Sequence, residues 1–171
     1  MGTKDRGIVR MTEVEQRAFI GECAGSRPLS IATFAKDGTI GLIGMFYGLL
    51  EGNIAFLTKE KSQKVVNLRR DPRCTCMIDE YSELRGLTVV GRIEIVGHPR
   101  RVRALSIDFF GRRVRPYDEA TCKEEIDRSV YNRVVLQLQS ERTMSWDHRK
   151  LGAPGLRESE IAERRAQSKH S

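Results

Sequence analysis

The sequence predicts a mainly β fold, a β-barrel with peripheral helices, and two observations carry that reading. Six short β-rich runs punctuate the chain, bounded by glycine, proline and Asp-Gly signals. Five of them precede a helical excursion over residues 99–132, and the sixth returns after it. Strands and helices therefore do not alternate as they would around a parallel sheet. A length of 171 residues suits one domain with a real core, expected over residues 12–152.

The elements follow in order. Residues 1–11 read as a mobile lead-in. Residues 12–22 read as a helix: Thr12 and Glu15 have the spacing of a capping box, and Val14, Ala18 and Phe19 give one apolar side. Gly25 ends it. Residues 28–34 alternate as a first strand, and Lys36-Asp37-Gly38 signals a hairpin. Residues 40–50 read as a second strand. Gly41, Gly44 and Gly48 within it permit close backbone approach, either for a flat ring lying on the strand or for a barrel corner.

A third strand, 54–58, runs into a polar turn and a helix opening at Ser62, whose hydroxyl can cap a free backbone N–H. Val65, Val66 and Leu68 form its apolar face, and Asp71-Pro72 stops it. Residues 74–79 and 86–96 are the fourth and fifth strands, joined by a polar loop with Tyr81 and Arg85. Residues 99–110 suit a helix with Pro99 in its first turn and Val102, Leu105 and Phe109 on one side. Residues 117–132 suit a second, contacting the core through Ile126 and Val130. The sixth strand is 133–138. Beyond it lies Trp146, the only tryptophan, placed either to cover a cofactor edge or to seal the barrel. Residues 153–171 form a polar tail.

Composition excludes several classes. Among apolar runs, none reaches the length of a membrane span, and the first residues lack the apolar core of a signal peptide, so the expected location is cytoplasmic. The formal net charge of +7 comes from dispersed arginines without a nucleic-acid-binding motif, which argues against nucleic acid as partner. Cys23, Cys74, Cys76 and Cys122 lack zinc-knuckle spacing and read as buried, reduced thiols; no metal site is expected. Nucleophile elbows, HExxH, P-loops and GxGxxG are absent. Asp79, Glu80, Asp118 and Glu119 read as solvated loop carboxylates. No catalytic side chain is evident, which fits a protein whose cofactor does the chemistry.

One stretch stands apart: FLTKEKSQKVVNLRRDPR, residues 56–73. A strand, a Thr/Lys/Ser turn and a helix N-terminus with Lys64 in its first turn can hold a phosphate, or can simply form a basic surface helix with a normal cap. The stretch is similar to the nucleotide-phosphate turn of the pyridoxamine 5′-phosphate oxidase-like split β-barrel superfamily. NLRRDPR especially resembles its actinobacterial branch, which uses the deazaflavin coenzyme F-420 or FMN. LSIATFAKDG, GMFYGLLEGNIAF, ELRGLTVVGRIEIV and RTMSWDHRKLG agree in order over residues 27–152.

The resemblance implies a six-stranded antiparallel split β-barrel and a homodimer with cofactor sites at its interface. It places the cofactor phosphate on Thr58, Ser62, Gln63 and Lys64, with Lys59 and Asn67 beside them. It lays the ring along the backbone of Met45, Phe46 and Tyr47, with Tyr81, Arg85 and Trp146 reaching across from the partner. It implies an oxidoreductase moving a hydride between reduced F-420 and a small conjugated substrate. An FMN-binding flavoprotein and a non-catalytic F-420 carrier are the alternatives. The sequence departs from the common pattern at Ile40-Gly41, where DGxP and a polar residue are usual.

Overall fold

The computed structural model describes residues 9–114 and 116–151. Most of the expected lead-in and all of the polar tail lie outside them. Helix α1 (Glu13–Cys23) is followed by strands β1 (Pro28–Phe34), β2 (Ile40–Phe46), β3 (Gly48–Leu50) and β4 (Asn53–Lys59). Helix α2 (Gln63–Arg70), strands β5 (Arg73–Glu80) and β6 (Arg85–Val96), helices α3 (Pro99–Arg113) and α4 (Glu119–Asn132), and strand β7 (Arg133–Asp147) complete the chain. The seven strands form one antiparallel sheet in the order β2-β1-β5-β6-β7-β4-β3. Its curl gives the split β-barrel, with seven strands where the sequence suggested six.

Two changes make the difference. The second predicted strand is broken at Tyr47. Its buried ring sends its hydroxyl to the Ile20 carbonyl at 2.7 Å, and its own carbonyl accepts from Gly25 N at 2.8 Å. Tyr47 therefore joins α1 to the sheet, and the chain changes partner there, from β1 to β4. The last strand also runs nine residues past Leu138, to Asp147. Gly91 makes this possible: a Cβ there would lie 2.1 Å from the Gln139 carbonyl oxygen, and the register of β6 on β7 shifts between Val90 and Gly91.

Inside the barrel, Phe19, Leu29, Ile31, Phe56, Val65, Leu68, Ile78, Leu87 and Leu136 form the main core. The α1 capping box is present as predicted. Its apolar side is narrower than expected, because Val14 and Ala18 face solvent while Phe19 and Cys23 go inward. On α2, likewise, Val66 is exposed and Asn67 is buried in its stead. All four cysteines are buried and free.

A second, smaller core lies outside the barrel wall. Leu50, Ala55 and Val135 pack there against Val102 and Leu105 of α3, with Leu57, Val96 and Val130 at the margin. Asp108 fastens α3 to β3 by accepting from Leu49 N at 2.8 Å. Glu80 is not a solvated loop carboxylate: it is buried and ion-paired to Arg27, with the Ser82 hydroxyl donating to it. Asp118 caps α4, accepting from Ala120 N and Thr121 N. No helix among the described residues is long and apolar enough to cross a membrane.

Candidate cofactor-binding site

The strand, turn and helix of the 56–73 stretch form as the sequence predicted. β4 delivers Thr58, buried at its end, and α2 starts four residues later behind Ser62. The Ser62 backbone is extended, as an N-cap requires, but its hydroxyl makes no capping bond. It lies instead 3.3 Å from Thr58 Oγ1. Lys64 Nζ donates to the same Thr58 hydroxyl at 3.2 Å. A lysine, a serine and a threonine thus converge on one point. Among the described residues the backbone N–H groups of Gln63 and Lys64 have no acceptor, as the first N–H groups of a helix lack intrahelical partners.

The electrostatics match this geometry. Partial burial pushes the Lys64 ammonium below the ordinary lysine value, and no carboxylate among the described residues pairs with it. Glu60, the acid nearest in sequence, is taken by Arg69 at 2.6 Å. Donors, a helix N-terminus and an unneutralised cation together favour an anion, a phosphate above all.

Behind this point the remaining polar residues act as support. Gln63 Nε2 donates to Asn67 Oδ1 at 3.0 Å, and Asn67 Nδ2 donates to Thr33 Oγ1 at 3.3 Å. This chain ties α2 to β1. Gly41 on β2 sits beside it, and a Cβ there would be 3.5 Å from Thr33 Oγ1. The start of β2 therefore passes next to the turn. Lys59 points away, exposed and opposite Arg133 in register.

The other predicted residues lie in three places. Met45 packs against the main core and Phe46 is exposed, with the Arg113 guanidinium 4.1 Å from its ring centroid. Both sit at the end of β2, an edge strand with one side of its backbone unpaired. Tyr47 is the core anchor already described. Tyr81 is exposed on the turn after β5. Arg85 is largely buried and held within its own chain by Glu22 at 2.7 Å, Glu83 at 2.6 Å and the Phe19 ring, 4.6 Å from its centroid.

Trp146 does not plug the barrel. It is half-buried and lies flat across Gly86, its cross-strand partner, so closely that a Cβ on Gly86 would come within 2.7 Å of the indole. It borders an open cavity of about 500 Å³ with Arg10, Thr88, Met144 and His148.

Asn67 and Thr33 are supporting residues whose pairing sequence reading did not find. The signal available was the Gln63–Asn67 spacing, i and i+4 on one helix face.

The fold is that of a split β-barrel, and the comparisons agree. The family model for pyridoxamine 5′-phosphate oxidase matches residues 13–147, and the chain belongs to that family. A conserved hypothetical protein from Mycobacterium tuberculosis is 39% identical, with a TM-score of 0.79 over 91% of this chain and 96% of that one. An F420 reductase is similar at 22% identity and a TM-score of 0.52, over 69% of this chain and 89% of its own. A heme binding protein from Mycobacterium smegmatis is similar at 20% identity and a TM-score of 0.59, over 91% of this chain and 62% of its own. These last two share the fold alone. No curated protein matches the chain by sequence.

Proposed function

We propose that the chain is an F-420-dependent oxidoreductase acting on a small conjugated substrate. The observation that carries this reading is the convergence of Ser62 Oγ and Lys64 Nζ on Thr58 at the N-terminus of α2, with no carboxylate among the described residues paired to Lys64. The NLRRDPR stop that follows supports F-420 or FMN, and the fold shared with an F420 reductase supports the deazaflavin as the first reading. The family match keeps FMN as the second reading. A bound deazaflavin supplies the hydride chemistry. The residues of this chain hold the phosphate at the turn, offer the free edge of β2 to the ring, and exclude water around it.

The same reading calls for a second copy of the chain. Strand registers align Leu42, Ala32, Thr75, Val90 and Arg142 in one outward row and Gly44, Ser30, Met77, Thr88 and Met144 in the next. Apart from Arg142 at its margin, these small and apolar side chains form an outer face on which Leu42, Met77 and Met144 are exposed. Apolar patches of this kind mark interfaces. Trp146 and its cavity lie on the same face, two residues on from Met144, where each copy could border the other's cofactor.

Lys64→Ala tests the turn. It removes a charge-assisted hydrogen bond from a partly exposed position, so the fold should persist while cofactor affinity falls by roughly 1.5–3 kcal/mol, about tenfold or more. Unchanged dissociation constants for both F-420 and FMN would remove Lys64 from the site.

A further inference from the structure

A second cavity, of about 220 Å³, lies between β4 and the α3–α4 pair, walled by Phe46, Leu57, Phe109 and Phe110, with Ser129 and Arg133 at its polar side. It lies apart from the phosphate turn, although Met45 and Phe46, at the strand end offered to the cofactor ring, also border it. Leu57 and Thr58 are neighbours on β4 and point to opposite faces, Leu57 toward the α3 side and Thr58 toward the turn.

The walls suit a flat apolar body. Phe109 and Phe110 meet edge to face, with centroids 5.7 Å apart. An apolar cavity of about 150 Å³ accepts a benzene ring, so this one has room for one or two fused rings.

The charges around it are unbalanced. Arg133 stands directly opposite Lys59 in the β4–β7 register, an unfavourable pairing of like charges. The Arg113 guanidinium lies over the Phe46 ring and 5.5 Å from the Phe109 centroid. Among the described residues neither arginine pairs with a carboxylate. Glu125, the acid bordering the cavity, is engaged by Arg128 Nη1 at 2.8 Å. The cavity thus combines aromatic walls with two exposed cations that no carboxylate among the described residues pairs with.

We propose that this cavity binds a small planar carboxylic acid of aryl character, its rings among the phenylalanines and its carboxylate on Arg133, with Arg113 beside it. Guanidinium and carboxylate geometries match, and the ligand supplies an anion that the described residues around the cavity do not offer these cations.

The test is calorimetric titration of the full chain with 2-naphthoate and with its neutral counterpart, 2-naphthalenemethanol. Saturable binding of one naphthoate per chain is expected, about tenfold tighter than the alcohol. Arg133→Gln should erase that margin without lowering the melting temperature. Nuclear Overhauser contacts from the naphthoate protons to the Phe109 and Phe110 rings locate the ligand independently of any variant. Lys64→Ala should leave naphthoate binding unchanged, which separates this site from the cofactor turn. Absence of saturable binding, equal affinity for acid and alcohol, or contacts elsewhere on the protein would each overturn the proposal.

Discussion

Along β3, β4 and β7, the outward side chains Leu50, Ala55 and Val135 are covered by Val102 and Leu105 of α3. Along β2, β1, β5 and β6, the outward side chains Leu42, Ala32, Met77 and Thr88 stay exposed or half-exposed. One sheet carries both halves; the open half mixes its small and apolar outward residues with the exposed charges Arg73, Asp79 and Arg142. The covered half shows what this sheet needs: a second layer that removes its outer face from water. The chain builds that layer itself from residues 99–132, fastened by Asp108 to Leu49 N. For the other half, the second layer proposed above is another copy of the chain.

The two halves should respond oppositely to substitution. Leu105→Ala opens the covered core and should cost about 2–5 kcal/mol of chain stability, read as a lower urea midpoint. Met77→Arg, in the middle of the open face, should leave the midpoint of the isolated chain nearly unchanged. It should instead convert a sedimenting dimer to a monomer, because it buries an unpaired charge in the proposed interface. A monomeric wild type at micromolar concentration, with cofactor still bound, would break the comparison.

Trp146 sharpens it. On the open face, across Gly86, its replacement by alanine should cost less stability than the roughly 3–5 kcal/mol of a buried aromatic. Cofactor affinity should fall by roughly 0.5–1.5 kcal/mol, and Trp146→Phe should restore most of it. A large loss of stability with normal affinity would move Trp146 from the ring to the barrel.

The smallest effect concerns acid. Asp147 ends β7 with its side chain almost wholly buried, receiving Arg149 Nη2 at 2.7 Å and Nε at 2.8 Å. Those bonds hold its carboxyl below the ordinary aspartate value despite the opposing effect of burial. A depressed folded value means that the pair stabilises above the unfolded value and that this is lost as pH falls through the folded one. Because Arg149 is half-exposed, the effect should be about 1 kcal/mol or less. Urea midpoints near neutrality and at about pH 3 should therefore differ more for the wild type than for Asp147→Asn.

The legibility of the sequence follows the same division. Elements that bury an alternating or periodic face were readable: β1 was placed at its residues, and the phosphate helix at its start and stop. The extension of β7 was not, because Ser140, Glu141, Arg142 and Thr143 face water in the single chain and carry no alternation. The break at Tyr47 was hidden because it is made by bonds to Ile20 and Gly25, over twenty residues away. Burial of Glu80 depends on Arg27, which is equally remote in sequence. For the proposed site, spacing alone left phosphate turn and ordinary basic helix both open, and the family resemblance singled out Thr58, Ser62, Gln63 and Lys64. Spacing misassigned the Ser62 hydroxyl to the helix cap, since only three dimensions show that hydroxyl turned to Thr58, which also accepts from Lys64.

If the open half and its proposed phosphate turn hold a deazaflavin, F-420 should bind there in preference to FMN. Titrating F-420 into the full-length protein, with FMN in parallel, tests it directly through quenching of F-420 fluorescence and of the lone tryptophan. The account predicts saturation at one F-420 per chain, both signals following the same isotherm, and weaker binding of FMN. Retention of FMN with no saturable response to F-420 would contradict it.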